Sequence, residues 1–420
     1  MITQVVATLI IARDAILQTL PANLPEILSQ IPHPVPGYYD FGLGRWVDAA
    51  DWSIPEDTKV LSTAIMDPKY NPPKSSSFNS SIASLDVEFP GIKTAIVSIK
   101  NVYDPVIGEL RGDENSGGAS TAKIAGLISL YQLLYEMSKL AKEKSITTVN
   151  DLQNEANTIW QNRGFVQNGA KTRLPNLKKL FEFYDFSKTT VKIHDARSIT
   201  SKDIGIVDYF THFDAVSRTP KLFFKKSILE ILWPKGGPHG TDAVGFSHGN
   251  VGGLLIKHIG FAYVGSVMLQ SGLFKRDGGD SGNGIWLRSD YYKGGNWAKR
   301  ENPFPKLPSI QNITAKSVAD FFTLLMQKRI VNQRVSDEIK NILHEGGCIS
   351  LFNHSDFDIV LASKCGFVKQ INNDAIVTDD LALFKYILVV LTDNDSISAN
   401  IISKKDDFLT QVNNLLRPFV

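Results

Sequence analysis

The sequence predicts an α/β protein of the α+β kind, with one sheet assembled from the two ends of a large helix-rich block. Three observations predict it. Ile92–Lys100 (IKTAIVSIK) is alternating and β-branched, the pattern of a strand. Apolar residues then recur at helical spacing from Ser120 through most of the chain to about residue 345. Strand character returns at 348–378 and at Phe384–Thr392 (FKYILVVLT), an apolar run suited to a sheet interior. The chain closes on Asp406–Leu416 (DDFLTQVNNLL), whose apolar residues are three or four apart, as on one face of a helix.

Taken in order, residues 1–30 read as helical, and Pro21, Pro25, Pro32, Pro34 and Pro36 then punctuate the chain. Residues 31–85 are rich in Pro, Ser, Asn and aromatics (GYYDFGLGRW, NPPKSSSFNSS), which predicts little regular structure packed by its rings. Residues 1–85 are expected to form an N-terminal extension. Val106–Arg111 is the candidate hairpin partner of the first strand. Gly117-Gly118 break the chain before the helical run AKIAGLISLYQLLYEMSKLAKE. Residues 86–119 and 346–420 are expected to make the sheet subdomain and 120–345 the helical one. Two loops interrupt the latter, Trp233–Gly245 and Arg276–Pro308.

The chain has 420 residues, 43% of them apolar and 21% charged, so a large core is available. With 45 basic and 43 acidic residues the net charge is +2, which argues against nucleic acid or an anionic membrane as the main partner. Clusters such as Lys221–Lys226 (KLFFKK) read as a solvated face with apolar anchors. Cys348 and Cys365 are too few for a disulfide framework, and no CxxC or Cys/His spacing suggests zinc. The eight histidines are scattered and HExxH is absent, so neither metal nor cofactor is expected. The N-terminal run Val5–Ala12 is short, lacks a basic stretch before it and is followed at once by Arg13 and Asp14. It reads as an amphipathic helix rather than an export signal, which makes a cytoplasmic location the default and a periplasmic or secreted one the alternative. Val251–Leu269 contains Lys257, His258 and several glycines and reads as buried helices, not a membrane span.

Chemistry enters at Ser120-Thr121-Ala122-Lys123, an SxxK at the start of a helix. A serine there sits in the positive end of the helix dipole. A lysine three residues on shares its face, and its amine takes the hydroxyl proton if burial or a second cation lowers its pKa. SxxK alone is a weak signal, since helices often carry Ser and Lys at this spacing. Two further segments add to it. Ser247-His248-Gly249-Asn250 leads into the small-residue, Leu-rich run VGGLLIK, and Ser363-Lys364-Cys365-Gly366-Phe367 lies among strand-like segments.

Together these segments resemble the penicillin-recognising superfamily of SxxK serine hydrolases, in particular the class A β-lactamase-like members. The strand pair, Gly-rich turn and STAKI resemble the nucleophile region. Ser247-His248-Gly249 resembles the Ser-Asp-Asn segment, with His for Asp and Gly for Asn, and Ser281-Gly282-Asn283 is a second candidate without a helix behind it. Lys364-Cys365-Gly366 resembles the Lys-Thr-Gly strand, and Ile313–Leu343 resembles the helix pair before it, with Thr314 as N-cap. The resemblance covers roughly 90–135, 247–275 and 312–420, and makes residues 140–240 look like an insertion in the helical domain. It implies a β-lactamase-like fold, an antiparallel sheet flanked by helices plus an all-helical subdomain.

The resemblance also implies roles. Ser120 would attack a carbonyl and form an acyl-enzyme, Lys123 would act as base, and Ser247 would relay the proton to the leaving group. Lys364 would add positive charge near Ser247 and the substrate, and the backbone N–H groups of Ser120 and Phe367 would form the oxyanion hole. The departures bear on substrate. A Cys365 thiol donates hydrogen bonds less well than Thr, and its bland reading is a small residue packed on a strand. Gly249 lacks the amide that would bind an acylamido carbonyl, and His248 reads either as an acid/base or as a residue that packs or caps. No Glu-x-x-Leu-Asn loop is found, but Glu301 falls in the right interval to activate a deacylating water, or is a plain loop carboxylate. The expected partner is a small-molecule or peptide-like acyl substrate. Three readings stand side by side: a hydrolase of a lactam, amide or ester, a D,D-peptidase or transpeptidase of cell-wall type, and a non-catalytic sensor that is acylated without turnover.

Overall fold

The computed structural model describes residues 37–40, 45–48, 75–162, 174–184, 221–225, 227–228, 232, 249–276, 282–287, 312–331, 333–345, 348–368, 371–379 and 385–419. The expected helix over residues 1–30 lies outside them. Residues 54–182 and 222–420 form one compact unit, and residues 1–53 with 183–221 form the other. In the smaller unit, β1 (Gly37–Asp40) and β2 (Arg45–Asp48) make an antiparallel hairpin pairing Tyr39 with Trp46. The aromatic-rich segment is thus more regular than its composition suggests.

In the larger unit, α1 (Ser76–Ile82) also departs from the expected irregularity, because Ser75 caps it by accepting from the Phe78 N–H at 3.2 Å. After α2 (Leu85–Glu88) come β3 (Lys93–Ser98) and β4 (Val106–Leu110), the expected hairpin. The short strand β5 (Ser116–Gly117) leads into a 3-10 turn, Ala119–Lys123, and then α3 (Ile124–Glu143). Every residue of α3 from Ile124 to Tyr135 is buried, so this helix is enclosed on all sides. Next are α4 (Val149–Asn162), α5 (Leu177–Leu180), β6 (Phe181–Tyr184) and β7 (Lys221–Phe224). They are followed by α6 (Gly249–Ile259), α7 (Phe261–Ser271), β8 (Phe274–Arg276), β9 (Gly282–Gly284) and β10 (Asn312–Ile313). The block expected to be all-helical therefore carries short strands between its helices. Among the described residues no helix is long and apolar enough to cross a membrane.

The helix pair α8 (Ala315–Met326) and α9 (Gln333–Glu345) follows as expected. Thr314 caps α8 in a reciprocal box with Ser317. Residues 348–358 are not a strand: Asn353 and Asp356 close a capping box around a 3-10 turn at His354–Asp356. The strands resume at β11 (Ile359–Val368), β12 (Ile371–Asp379) and β13 (Lys385–Thr392), and α10 (Asp395–Ser403) and α11 (Lys405–Leu416) end the chain.

The five-stranded sheet has the order β11-β12-β13-β3-β4, every neighbour antiparallel. Residues from both sides of the helical block meet at β13 and β3, where Val389 lies opposite Ala95. β13 is buried from Tyr386 to Thr392 because both faces are covered, which is why it reads as an unbroken apolar run. Helix α8 packs against β13 and β3. Leu388, Val390 and Ile96 join Ile401, Phe408, Val412 and Leu416 of the C-terminal helices in one cluster with Phe89. Full burial of one such side chain contributes about 1.5–3 kcal/mol, so this two-sided core holds the sheet rigid beneath the turn that carries Ser120.

Candidate active site

Asn115, Ser116 and Gly117, ahead of Ser120, are each tied to neighbouring strands or loops. The Lys93 ammonium donates to the Asn115 carbonyl at 2.5 Å and pairs with Asp393 at 2.6 Å, and the Ser116 hydroxyl donates to the same Asp393. The Asn115 side chain accepts from Asn312 at 2.8 Å and donates to the Gly282 carbonyl at 3.0 Å. Ser116 and Gly117 also pair with Ile313 and Asn312 of β10. From β12, the Asn373 amide donates to the Gly117 carbonyl at 2.9 Å while its oxygen accepts from the Thr392 N–H at 3.1 Å. Ala119, just before Ser120, is held at φ 37°, a left-handed conformation unfavourable for a residue with a Cβ. A strained backbone of this kind persists because its surroundings over-determine it.

Ser120 is half-buried, whereas Lys123 is fully buried in the same turn. The helical start expected at Ser120 is a 3-10 turn, with the α-helix proper beginning at Ile124. Strand β11 closes over it. At Gly366 a Cβ would stand 2.6 Å from Thr121 Oγ1, 2.9 Å from Thr121 N and 3.1 Å from the Gly118 carbonyl, so only glycine lets strand and turn approach this closely. Phe367 follows on the strand, opposite Asn372. Helix α6 packs against α3 through Gly126, where a Cβ would stand 2.6 Å from Ile256. Gly249 is the first residue of α6. Ser247, His248, Ser281 and Glu301 lie outside the described residues. Gly282 and Asn283 lie on strand β9, paired with β8, and not in an open loop.

Lys364 is completely buried on β11. Its ammonium donates to the Cys365 carbonyl at 2.5 Å and lies 3.7 Å from Cys348 Sγ. The expectation of a Cys365 thiol is corrected: Cys365 is disulfide-bonded to Cys348, with Cα atoms 5.1 Å apart. Cys348 thus stands against β11, and position 365 offers neither a thiol donor nor a nucleophile. Asp374, opposite Cys365 on β12, accepts from the N–H groups of Ser350 at 2.8 Å, Leu351 at 2.7 Å and Phe352 at 3.3 Å.

The electrostatics follow from burial. Loss of hydration pushes Lys123 down to about 8. Burial first, and then the Lys123 charge, push Lys364 well below the ordinary lysine value, while Asp374 opposes that shift. Burial raises Asp374 to about 7 against the pull of its backbone donors. Burial alone lowers Lys123, and the Lys123 charge adds to the effect of burial on Lys364. The arrangement therefore makes the neutral amine accessible slightly above neutral pH in the turn that carries a serine hydroxyl, which is what nucleophile activation needs.

Asn373 and Asp374 were not singled out by sequence reasoning, and Thr121 and Cys348 were named there without a role in the site. The polar run Asn372-Asn373-Asp374 opening an otherwise apolar strand was the available signal for the first two.

An antiparallel sheet closed from both sides of a helical block over an SxxK turn defines a β-lactamase-like fold. Residues 255–412 match the model of the beta-lactamase enzyme family, a segment that contains Lys364, Cys365 and Gly366 and starts after Ser120. No curated protein matches the sequence. Among solved structures, a beta-lactamase from Chitinophaga pinensis is 10% identical, with 82% of this chain and 99% of that one covered and a TM-score of 0.42. PBP-A, in an acyl-enzyme complex with penicillin G, is 11% identical, with coverages of 83% and 97% and a TM-score of 0.41. A class A beta-lactamase described as the last common ancestor of Gram-negative bacteria is 12% identical, with coverages of 81% and 98% and a TM-score of 0.38.

Proposed function

We propose that the protein is a serine hydrolase that forms an acyl-enzyme on Ser120 and cleaves a lactam, amide or ester bond. The observation that carries this reading is the fully buried Lys123, lowered to about 8, in the turn that presents Ser120 beneath Gly366. In this reading the neutral Lys123 amine takes the Ser120 hydroxyl proton as Oγ bonds to the substrate carbonyl carbon. Backbone N–H groups of Ser120 and Phe367 receive the negative charge that forms on the carbonyl oxygen. The bond to the leaving nitrogen or oxygen then breaks, and Ser247 passes the proton to it. Lys364 adds positive charge beside the site in its protonated form, and Gly249 with His248 borders the substrate. Water, activated by Glu301, then releases the acyl group and regenerates the serine.

The disulfide at Cys365 supports a second reading. Where the resembled family carries a hydroxyl on this strand, the protein carries a crosslinked sulfur, which favours a protein acylated without rapid turnover, as a sensor or D,D-peptidase would be. One experiment separates the readings. The protein and Ser120→Ala are incubated with a fluorescent penicillin and a chromogenic cephalosporin, and intact masses are taken. Turnover lost in the variant supports the hydrolase, and a persistent adduct on Ser120 supports the second reading. Equal reaction of Ser120→Ala and wild type overturns both.

A further inference from the structure

Strand β11 lies at the edge of the five-stranded sheet and is bonded to β12 along one side only. In an antiparallel pair, residues that bond the neighbouring strand alternate with residues whose N–H and C=O point away from it. Cys365 is of the second kind. Its N–H donates to Cys348 Sγ at 3.2 Å, and its carbonyl accepts from Lys364 Nζ at 2.5 Å. By the same alternation Phe367, two residues on, turns its N–H to the edge that Cys365 faces. Two residues of extended strand span about 6.8 Å. The Phe367 N–H, read as an oxyanion donor, and the Cys365 N–H are therefore neighbouring donors on one edge.

Of these two donors, the Cys365 N–H is taken by sulfur. Lys364 Nζ lies 3.7 Å from the same Cys348 Sγ. Two attachments keep this sulfur in place. It is bonded to Cys365, and the residues that follow Cys348 are anchored on β12. There the N–H groups of Ser350, Leu351 and Phe352 donate to the Asp374 carboxylate at 2.8, 2.7 and 3.3 Å. Both cysteines are half-buried, so the disulfide forms part of the accessible edge.

We infer that the Cys348–Cys365 disulfide is a specificity determinant: it plugs the edge of β11 beside the oxyanion donor and selects acyl substrates whose leaving arm is uncharged. The inference rests on the proposed function, in which the leaving group takes its proton from Ser247, beside Lys364, and so departs along the edge towards Cys365. A carboxylate on that arm would give up water and meet a sulfur, which accepts hydrogen bonds, while the Cys365 N–H is already used. An uncharged arm loses far less hydration and packs on the disulfide. With the plug removed, the Cys365 N–H and Lys364 Nζ become adjacent donors, a pairing that favours a carboxylate.

Two aryl esters of one N-acylglycine test this, one with a carboxylate and one with a carboxamide at the meta position of the phenol. Each rate is divided by that of spontaneous hydrolysis. The full chain is assayed oxidised, reduced with a water-soluble phosphine, and as Cys348→Ala/Cys365→Ala. In the reduction the phosphine attacks one sulfur and the S–S bond breaks. Water supplies the oxygen of the phosphine oxide, and each sulfur ends as a thiol. In the oxidised protein kcat/KM for the carboxamide is expected to exceed that for the carboxylate by about tenfold or more. This ratio is expected to fall by about tenfold in the double variant and in the same direction on reduction. Equal rates, or preference for the carboxylate, in the oxidised protein overturn the proposal. So does a ratio that removal of the disulfide leaves unchanged, with the reduced wild type deciding if the variant does not melt cooperatively. The amide of residue 365 is also followed by NMR as benzoate is added. It is expected to stay unmoved in the oxidised protein and to shift in the other two forms; a shift in the oxidised protein overturns the plug. Benzoate does not react, so this readout stands even if neither ester acylates Ser120, a result that would count against the proposed function instead.

Discussion

Gly366 and Thr121 are in contact through backbone: a Cβ placed on Gly366 would stand 2.9 Å from Thr121 N as well as 2.6 Å from its Oγ1. The neighbour that would have to yield belongs to the turn that carries Ser120, and that turn is pinned from the other side by Asn373. Gly366→Ala is therefore expected to destabilise the protein by about 1–3 kcal/mol, as overpacking does, and to cut Ser120 acylation by about a hundredfold. Urea melts and a fluorescent-penicillin time course check the two effects separately. A variant with wild-type acylation would mean that strand and turn need not approach so closely.

Asn373 joins the Gly117 carbonyl to the Thr392 N–H. Its replacement by Ala leaves a part-buried acceptor and a buried donor unpaired, a loss of about 2–6 kcal/mol at roughly 1–3 per group. Because the Gly117 tie sets the turn ahead of Ser120, the maximal acylation rate should fall more than the apparent affinity for substrate. Saturation kinetics with a chromogenic cephalosporin or activated ester distinguishes the two.

Lys123 makes a prediction in pH. The acylating form needs its neutral amine, so the rate should rise with pH through a midpoint near 8. The same shift sets a stability trend. Folding lowers the lysine pKa from 10.5 to about 8, so between those values the unfolded chain binds more protons than the folded one. Stability contributed at this site therefore rises as pH rises from 8 towards 10.5, and the penalty is fully present below 8. It amounts to about 3 kcal/mol at 1.36 kcal/mol per pH unit. Lys123→Met removes the buried amine with little change in volume. It should abolish acylation and stabilise the fold at pH 7 by about 1–3 kcal/mol, which paired denaturation curves at pH 7 and pH 10 would test. Loss of both activity and stability would show instead that the amine is held by structural bonds.

Ala119 carries its left-handed φ of 37° directly before Ser120. Gly at this position relieves the strain but adds freedom to the unfolded chain, so Ala119→Gly should stabilise by no more than about 1 kcal/mol. It should lower acylation, since the turn then samples other conformations. Calorimetry with intact-mass kinetics on the same sample checks both signs.

Much of the fold was legible because its strands and helices carry strong local patterns. IKTAIVSIK alternates, FKYILVVLT is apolar because β13 is covered on both faces, and Thr314 is followed by the periodic run that needs a cap. Residues 31–85 and 348–358 were harder to read. The pairing of 37–40 with 45–48 and the single serine cap of α1 leave little local pattern, while 348–358 is shaped by distant acceptors, chiefly Asp374. Within the site, Ser120, Lys123 and Lys364 stand out as motif residues. Asn373 and Asp374 do not, because their importance lies in partners far away in the chain, at Gly117 and at Ser350–Phe352.

The sequence by itself determined the strands at 92–100 and 384–392, the helices that follow Lys123 and Thr314, and the presence of two candidate lysines, since each depends on periodicity or on neighbours within a few residues. Only the tertiary structure decided that Cys348 and Cys365 are bonded, that Gly366 must be glycine against Thr121, and that burial lowers both Lys123 and Lys364, with the Lys123 charge adding to the shift of Lys364. The physical reason is distance. Crosslinks, steric limits and charge coupling act over a few ångströms in space, and the sheet alone brings residues from both sides of the helical block within that range.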